Sequence, residues 1–172
     1  YAVYAETVFE ESQSRLLLGT DVSTRYTMRG EKMYRRYAEY LYEMASAKEG
    51  NYMSFFPSYH FLEQVYDAFV ELADRKQSAS EGREEHNVGQ IECLVQAPYM
   101  SEEAREIFLE GFEEEREGSL MGFCVMGGVF SEGIDLAKER LIGAVIVGTG
   151  LPQVCLEREL LKNYFDARGQ NG

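Results

Sequence analysis

Residues 120–135 read Leu120-Met-Gly-Phe-Cys-Val-Met-Gly-Gly-Val-Phe-Ser-Glu-Gly-Ile-Asp135. The first part is short, apolar and partly β-branched, and glycines follow it, so it predicts a buried strand over Met121–Phe130. Strands that read as continuous apolar runs are typical of parallel sheets covered on both faces. This stretch therefore indicates an α/β domain.

The turn after this strand carries residues that suit a binding site. Its glycines (Gly127, Gly128 and Gly133) permit a sharp turn or a close approach to a ligand. Its polar side chains are a hydroxyl and two carboxylates, on Ser131, Glu132 and Asp135. Open α/β sheets build their sites from groups at the carboxyl ends of strands. On this stretch alone, a plain surface turn is an equally good interpretation.

The rest of the chain alternates apolar runs with helical patterns. Further strands are predicted at Arg15–Val22, Tyr52–Tyr59, Gln90–Ala97 and Leu141–Gly148. Helices are predicted at Glu31–Lys48, at Tyr59–Arg75, after a Ser101 cap, and at about Val154–Ala167. We therefore expect one α/β domain with a mainly parallel sheet and helices on both faces.

Three segments carry more specific predictions. The buried face of the helix after Ser101 should consist of Ile107, Phe108 and Phe112. The last helix should pack on the sheet through four side chains, those of Leu156, Leu160, Leu161 and Tyr164. The polar stretch Lys76–Gly89 has no apolar period and predicts a mobile surface loop.

Length and composition indicate a soluble protein of one domain. The 172 residues can bury a sizeable single core, and 45% hydrophobic with 27% charged residues is ordinary. No run reaches the roughly 18 apolar residues of a membrane span, and no signal peptide is found at the start of the sequence. We therefore expect a cytoplasmic, bacterial protein without a membrane partner. The three cysteines lie in separate apolar runs and predict reduced core residues without a metal site, at Cys93, Cys124 and Cys155.

The charge is acidic overall and unevenly distributed. A net charge of −13 argues against binding nucleic acid through the overall field, but it does not exclude a local basic strip. Ser101–Glu117 holds eight glutamates and two arginines. The basic residues cluster earlier, at Arg25, Arg29, Lys32, Arg35 and Arg36. That cluster is equally compatible with a helix surface that forms local ion pairs.

Polar residues follow several of the predicted strands. Because parallel strands end at one edge of their sheet, these residues should lie together. The predicted edge contains Ser58, Tyr59, Gln96, Ser131, Glu132, Asp135 and Thr149. The pattern predicts a site at this edge without naming its ligand.

A complete set of catalytic residues is missing from the sequence. It contains no Gly-x-x-x-x-Gly-Lys-Ser/Thr phosphate loop, no Gly-x-Gly-x-x-Gly and no Gly-x-Ser-x-Gly. Glu132 and Asp135 are a possible acid/base pair, but no nucleophile or cofactor motif accompanies them. A self-sufficient enzyme is therefore not expected.

Two segments together resemble motifs of a known helicase group. Gly50–Tyr59 (Gly-Asn-Tyr-Met-Ser-Phe-Phe-Pro-Ser-Tyr) resembles motif IV of the DinG-like and XPD-like superfamily 2 DNA helicases, and Gly127–Leu136 resembles motif V. Between them, Gln96–Arg105 is similar to the segment Gln-x-x-x-Met-Ser-x-x-x-Arg of that group. The resemblance covers residues 15–172 and implies a second RecA-like domain, whereas residues 1–14 match less well.

The resemblance implies that the cleft is shared with another domain. ATP with Mg²⁺ would be bound mainly by the first RecA-like domain of the same polypeptide. That domain would carry the phosphate loop, the Asp-Glu-x-His box and the iron–sulfur cysteines, none of which occurs here. Motif VI, with its arginine finger, is also absent from the sequence. The fragment alone is therefore expected not to hydrolyse ATP.

The resemblance also implies roles for single residues. Gly128 and Ser131 would bind DNA phosphate. The nucleotide side would be formed by Glu132, Gly133 and Asp135, with the aspartate near the ribose. The single-stranded DNA backbone would meet Ser58, Tyr59 and Thr149. The plainer alternatives are that Ser58 is only a helix cap and Glu132 only a loop carboxylate.

Two functions follow from these observations. The favoured one is the second motor domain of an ATP-dependent DNA helicase, with DNA repair as the implied setting. The alternative is a non-catalytic α/β module that uses the same edge to bind a nucleotide or a protein.

Overall fold

The computed structural model describes residues 15–80, 90–131, 136, 140–149 and 156–169. Its described strands are β1 (Asn51–Phe56), β2 (Ile91–Val95), β3 (Ser119–Val125) and β4 (Gly143–Ile146). Its helices are α1 (Glu31–Ala47), α2 (Tyr59–Ser80), α3 (Glu102–Glu110) and α4 (Leu156–Ala167), with a 3₁₀ turn at Tyr26–Met28. None of these helices is long and apolar enough to cross a membrane.

The four described strands form one parallel sheet in the order β2-β3-β1-β4. β1 lies between β3 and β4, with Asn51 opposite Leu120 and Tyr52 opposite Gly143. The prediction of a parallel α/β sheet is therefore confirmed. The order also brings the segments after β1, β2 and β3 next to each other at one edge.

The central strand β3 is buried along its whole length because both of its faces are covered. Met121, Phe123 and Val125 join one apolar cluster, and Leu120 and Cys124 join the other. The two clusters alternate along the strand because successive side chains point to opposite faces of a sheet. This packing explains why the sequence of β3 is a continuous apolar run.

The larger cluster lies under α1 and α2 and is rich in aromatic rings. The ring of Phe123 lies parallel to that of Phe56, with centroids 5.9 Å apart, and edge-on to those of Tyr66 and Phe69 at 5.2 and 5.5 Å. Offset and edge-on pairs of this kind stabilise a core beyond the area that they bury. Tyr34, Tyr37 and Tyr42 of α1 contribute to the same layer, whereas Tyr40 is 38% exposed.

The second cluster covers the opposite face of the sheet and includes the end of α3. Phe108 and Phe112 are buried there, as predicted, and Phe108 stacks on Phe130 with ring centroids 4.3 Å apart. Ile107 is 61% exposed, so the prediction for this residue is wrong. With α1 and α2 on one face and α3 on the other, the domain has the three layers expected of a RecA-like fold.

Two segment predictions are corrected by the structure. Arg15–Val22 forms no strand, and its leucines are 75–84% exposed, because a short apolar run cannot become a strand without a neighbour to pair with. The stretch predicted as a loop from Lys76 is helical as far as Ser80, because these residues include no glycine or proline that would end the helix. Residues 81–89 lie outside the described part of the chain.

The last helix is correct in extent but wrong in packing. α4 forms, yet the four side chains expected on the sheet are all exposed, by 50–68%. Its apolar stripe identifies an amphipathic helix, but the stripe does not specify which surface covers it.

The amino-terminal edge of the sheet is closed by side-chain hydrogen bonds to the main chain. The Asn51 amide donates to the carbonyls of Phe112 and Arg140 at 3.0 and 3.1 Å. The Ser119 hydroxyl donates to the Ala45 carbonyl at 2.7 Å. Because these groups are occupied by main-chain partners, we assign them to the stability of the fold.

Candidate functional site

The segments that follow the strands begin at a common carboxyl edge. Main-chain hydrogen bonds extend the pairing just past the strand ends: Met126 donates to Phe56 at 2.8 Å, Gln96 to Phe123 at 2.9 Å and Val147 to Phe55 at 2.9 Å. We call the residues that follow these strands (57–59, 96–101, 126–131 and 148–149) the carboxyl edge. The geometric expectation of a shared edge therefore holds for its described residues.

The turn after β3 is held by its own backbone. Gly127 has a φ of +70°, which L side chains rarely adopt. The Gly128 amide donates to the Val125 carbonyl at 3.0 Å, and the Ser131 hydroxyl donates to the same carbonyl at 3.2 Å. Among the described residues, the amides of Gly127, Val129 and Phe130 have no hydrogen-bond acceptor, and Phe130 is buried.

Ser131 is exposed at the end of this turn. Its hydroxyl proton is directed to a carbonyl, so binding a phosphate oxygen requires the hydroxyl to rotate away from Val125. Gly128 lies at the predicted position, but its amide is already used inside the turn. Glu132, Gly133 and Asp135 lie outside the described residues.

Ser58 and Tyr59 follow β1 and begin α2. The Ser58 hydroxyl accepts a hydrogen bond from the Phe61 amide at 3.3 Å, which makes Ser58 the cap of this helix. Because the oxygen accepts in this bond, the hydroxyl proton remains available to donate to a phosphate. The Tyr59 hydroxyl, in contrast, donates to the Ala97 carbonyl at 3.3 Å.

Gln96 connects these segments; the sequence had placed it at the edge and at the start of the segment that resembles Gln-x-x-x-Met-Ser-x-x-x-Arg. Its side chain is 2% exposed, accepts from the Val125 amide at 2.9 Å and donates to the Tyr59 hydroxyl at 2.9 Å. A glutamine directly after an apolar strand was the available signal. Nothing in the sequence identified the two partners, because both are distant along the chain.

Thr149 lies at the end of the edge formed by β4, and it is exposed. Gly148 before it has a φ of +95°, and a Cβ atom there would lie 2.9 Å from Cγ2 of Thr24. The segment around Thr24 therefore packs closely against this end of the edge. Its Arg29 guanidinium lies 5.4 Å from the centre of the Phe61 ring in the first turn of α2.

The basic cluster is partly neutralised by local ion pairs. Arg36 pairs with Asp21 and Glu39 at 2.6 and 2.8 Å, and Arg35 pairs with Glu31 at 2.6 Å. Hydrogen bonds from Tyr40 and then Arg36 lower the pKa of the Asp21 carboxyl. These pairs support the interpretation of α1 as a solvated helix face.

The cysteines of the described residues are free thiols inside the fold. Cys124 is buried and Cys93 is half-buried, and burial raises the pKa of each thiol to about 12. They are therefore protonated at neutral pH and poor nucleophiles. Cys155 lies outside the described residues, which contain no group of three side chains able to hold a metal ion.

Comparison with known proteins identifies the group to which this arrangement belongs. Residues 41–172 match the family model described as the helicase C-terminal domain. Over 48 residues the chain is 38% identical to the ATP-dependent DNA helicase XPD of Sulfolobus acidocaldarius, a match that covers 28% of this chain and 9% of that protein.

Solved structures give the same result for the fold. A structure described as XPD apo aligns with a TM-score of 0.59 and 23% identity, covering 85% of this chain and 26% of the other. A second, described as XPD helicase, has a TM-score of 0.57 and 23% identity, with coverage of 86% and 23%. This chain thus spans at most about a quarter of the relatives that it matches. Because the family model matches more than half of the sequence, the chain belongs to the helicase C-terminal domain family.

Proposed function

We propose that this chain acts as the second motor domain of an ATP-dependent DNA helicase. In this proposal its carboxyl edge completes an ATP cleft and a single-stranded DNA track with a first RecA-like domain of the same polypeptide. The observation that carries the proposal is the convergence at one edge of the motif IV residues Ser58 and Tyr59 with the motif V turn. Membership of the helicase C-terminal domain family supports it.

The chemistry of the edge suits a phosphate backbone. The edge offers the hydroxyls of Ser58, Ser131 and Thr149 and the amides of Gly127 and Val129, which donate to no described residue. Neutral donors of this kind bind phosphate oxygens without reading bases, as a motor that moves along any sequence requires. They also reconcile DNA binding with the net charge of −13, because the contacts are local.

The nucleotide side is assigned to the second half of motif V. Asp135 would approach the ATP ribose, and Glu132 and Gly133 would connect the nucleotide to the DNA contacts. As the resemblance implies, we assign the binding of Mg²⁺ and of the ATP phosphates mainly to the first domain. The isolated chain is therefore expected not to hydrolyse ATP.

The test uses the full-length protein and its ATP hydrolysis with and without oligo-dT. Ser131→Ala removes the hydroxyl proposed to bind phosphate, and Asp135→Ala removes the carboxylate proposed to meet the ribose. We expect each variant to reduce DNA-stimulated hydrolysis about tenfold or more, since a lost hydrogen bond to a charged group is worth roughly 1.5–3 kcal/mol.

Ser23→Ala is a matched control for Ser131→Ala, because Ser23 is a partly exposed serine that belongs to neither motif. Unchanged hydrolysis in both motif V variants would remove the assignment of residues 131–135. If the wild-type protein hydrolyses no ATP with any oligonucleotide, the motor proposal fails and the non-catalytic binding module becomes the better interpretation.

A further inference from the structure

The side chain of Gln96 is the point at which three segments of the carboxyl edge meet. It is 2% exposed, so both ends of its amide need a partner inside the protein. The oxygen accepts from the Val125 amide, where β3 ends, and the nitrogen donates to the Tyr59 hydroxyl, where α2 begins. One buried amide therefore bridges the motif IV and motif V segments.

The turn after β3 also packs directly on this amide. A Cβ atom at Gly128 would lie 2.7 Å from Nε2 of Gln96 and 2.9 Å from the Val125 carbonyl oxygen. Only a residue without a side chain leaves the amide in place, so the glycine and the glutamine fit each other. A shift of either one requires the other to move.

The hydrogen bonds continue from Gln96 to the exposed serine. Val125 donates its amide proton to Gln96, and its carbonyl accepts from both the Gly128 amide and the Ser131 hydroxyl. Tyr59 is thus connected to Ser131 through Gln96 and Val125. If phosphate binding rotates the Ser131 hydroxyl away from Val125, the bonds at Val125 change as well.

We propose that Gln96 is a positioning residue that couples the orientation of Tyr59 to the conformation of the Gly127–Ser131 turn. It touches neither DNA nor nucleotide and acts through its two partners. The inference rests on the proposed function for its role in DNA binding. The coupling itself follows from the hydrogen bonds and has a separate readout.

The test compares three variants of the full-length protein. Gln96→Met keeps the size of the side chain and removes both hydrogen bonds, Tyr59→Phe removes the hydroxyl at the other end, and the double variant combines them. The matched control is Gln64→Met on α2, where the side chain is half-buried and away from the edge. Thermal unfolding of each variant establishes that it is folded.

The first readout is hydrogen exchange in the peptide that covers residues 119–131. We expect faster exchange in Tyr59→Phe as well as in Gln96→Met, because each loosens the bond to the Val125 amide. Gln64→Met should exchange like the wild type. Exchange in Tyr59→Phe that equals the wild type would overturn the coupling, whether or not the protein is a helicase.

The second readout is ATP hydrolysis as a function of oligo-dT concentration. Each single variant should raise the half-saturating concentration of oligo-dT about three- to tenfold and should change the maximal rate of hydrolysis by less. The half-saturating concentration of the double variant should be no higher than that of the more impaired single variant. Effects that multiply in the double variant would show that Gln96 and Tyr59 act independently and would overturn the proposal. A wild type without hydrolysis would refute the helicase function and leave the exchange result to decide the coupling.

Discussion

At the scale of single residues, the sequence identified chemical types but not their partners. Serines and a threonine after apolar strands were predicted at one edge, and the described ones lie there. The sequence did not reveal that the Ser131 hydroxyl is bonded to Val125 or that Gln96 holds Tyr59. The contacts of Gln96 join residues about 30 or more positions apart in the chain, and the contact of Ser131 depends on the backbone geometry of the turn after β3. No local sequence pattern therefore predicts them.

Gly128 offers a direct test of the packing at the edge. Gly128→Ala should destabilise the fold by about 1–3 kcal/mol, because its Cβ meets a buried amide and a main-chain carbonyl at less than 3.0 Å. Urea unfolding of the purified protein measures the change. Gly30→Ala is the matched control, since a Cβ there meets nothing within 4 Å. Equal stabilities of the two variants would contradict the close packing of the turn on Gln96.

At the scale of elements, the spacing of apolar residues predicted which helices form better than it predicted what those helices pack against. α1, α2 and α3 begin where the sequence placed them, and α3 is capped by the Ser101 hydroxyl, which accepts from the Ala104 amide at 3.2 Å. The stretch from Arg15 to Val22 is apolar enough for a strand but is not paired. α4 is amphipathic, yet no residue of this helix is buried. The apolar pattern of one segment does not specify which other part of the protein packs against it.

The start of α2 allows the capping role of Ser58 to be separated from its proposed role in DNA binding. Ser58→Ala removes the cap and should cost about 1 kcal/mol in urea unfolding. Ser58→Asp restores the cap, because a carboxylate also accepts from the helix amides, but it places a negative charge at the proposed DNA track. We therefore expect near-wild-type stability with weaker binding of oligo-dT by the full-length protein.

Ser119→Ala is the control, since it removes the hydrogen bond to the Ala45 carbonyl at the amino-terminal edge of the sheet and should lower stability without weakening DNA binding. If Ser58→Asp binds oligo-dT as tightly as the wild type, Ser58 is a cap and nothing more.

At the scale of the whole molecule, the sheet and its two apolar layers could be predicted in outline. Continuous apolar strands indicated a sheet covered on both faces, and the all-parallel described sheet agrees. The strand order β2-β3-β1-β4 could not be predicted from the sequence, because an apolar run does not specify which other strand it pairs with. That order is what places the segments after β1 and β3 side by side.

The larger apolar layer should dominate stability. Phe123 is fully buried among the rings of Phe56, Tyr66 and Phe69, so Phe123→Ala should cost about 3–5 kcal/mol in urea unfolding. The control is Phe165→Ala on α4, where the ring is 38% exposed and touches Tyr164. We expect that change to be less than about 1 kcal/mol. A similar loss in both variants would mean that α4 contributes to the core.

The position of β1 in the sheet has a consequence for synthesis on the ribosome. β1 pairs with Leu120 and its neighbours on one side and with Gly143 and its neighbours on the other, all of which are translated much later. The nascent chain therefore holds an aromatic strand without a partner while some seventy further residues are made. During that interval the helices α1 and α2 on either side of it in the chain are its available cover. A ribosome that stalls before Ser119 leaves a chain prone to aggregate.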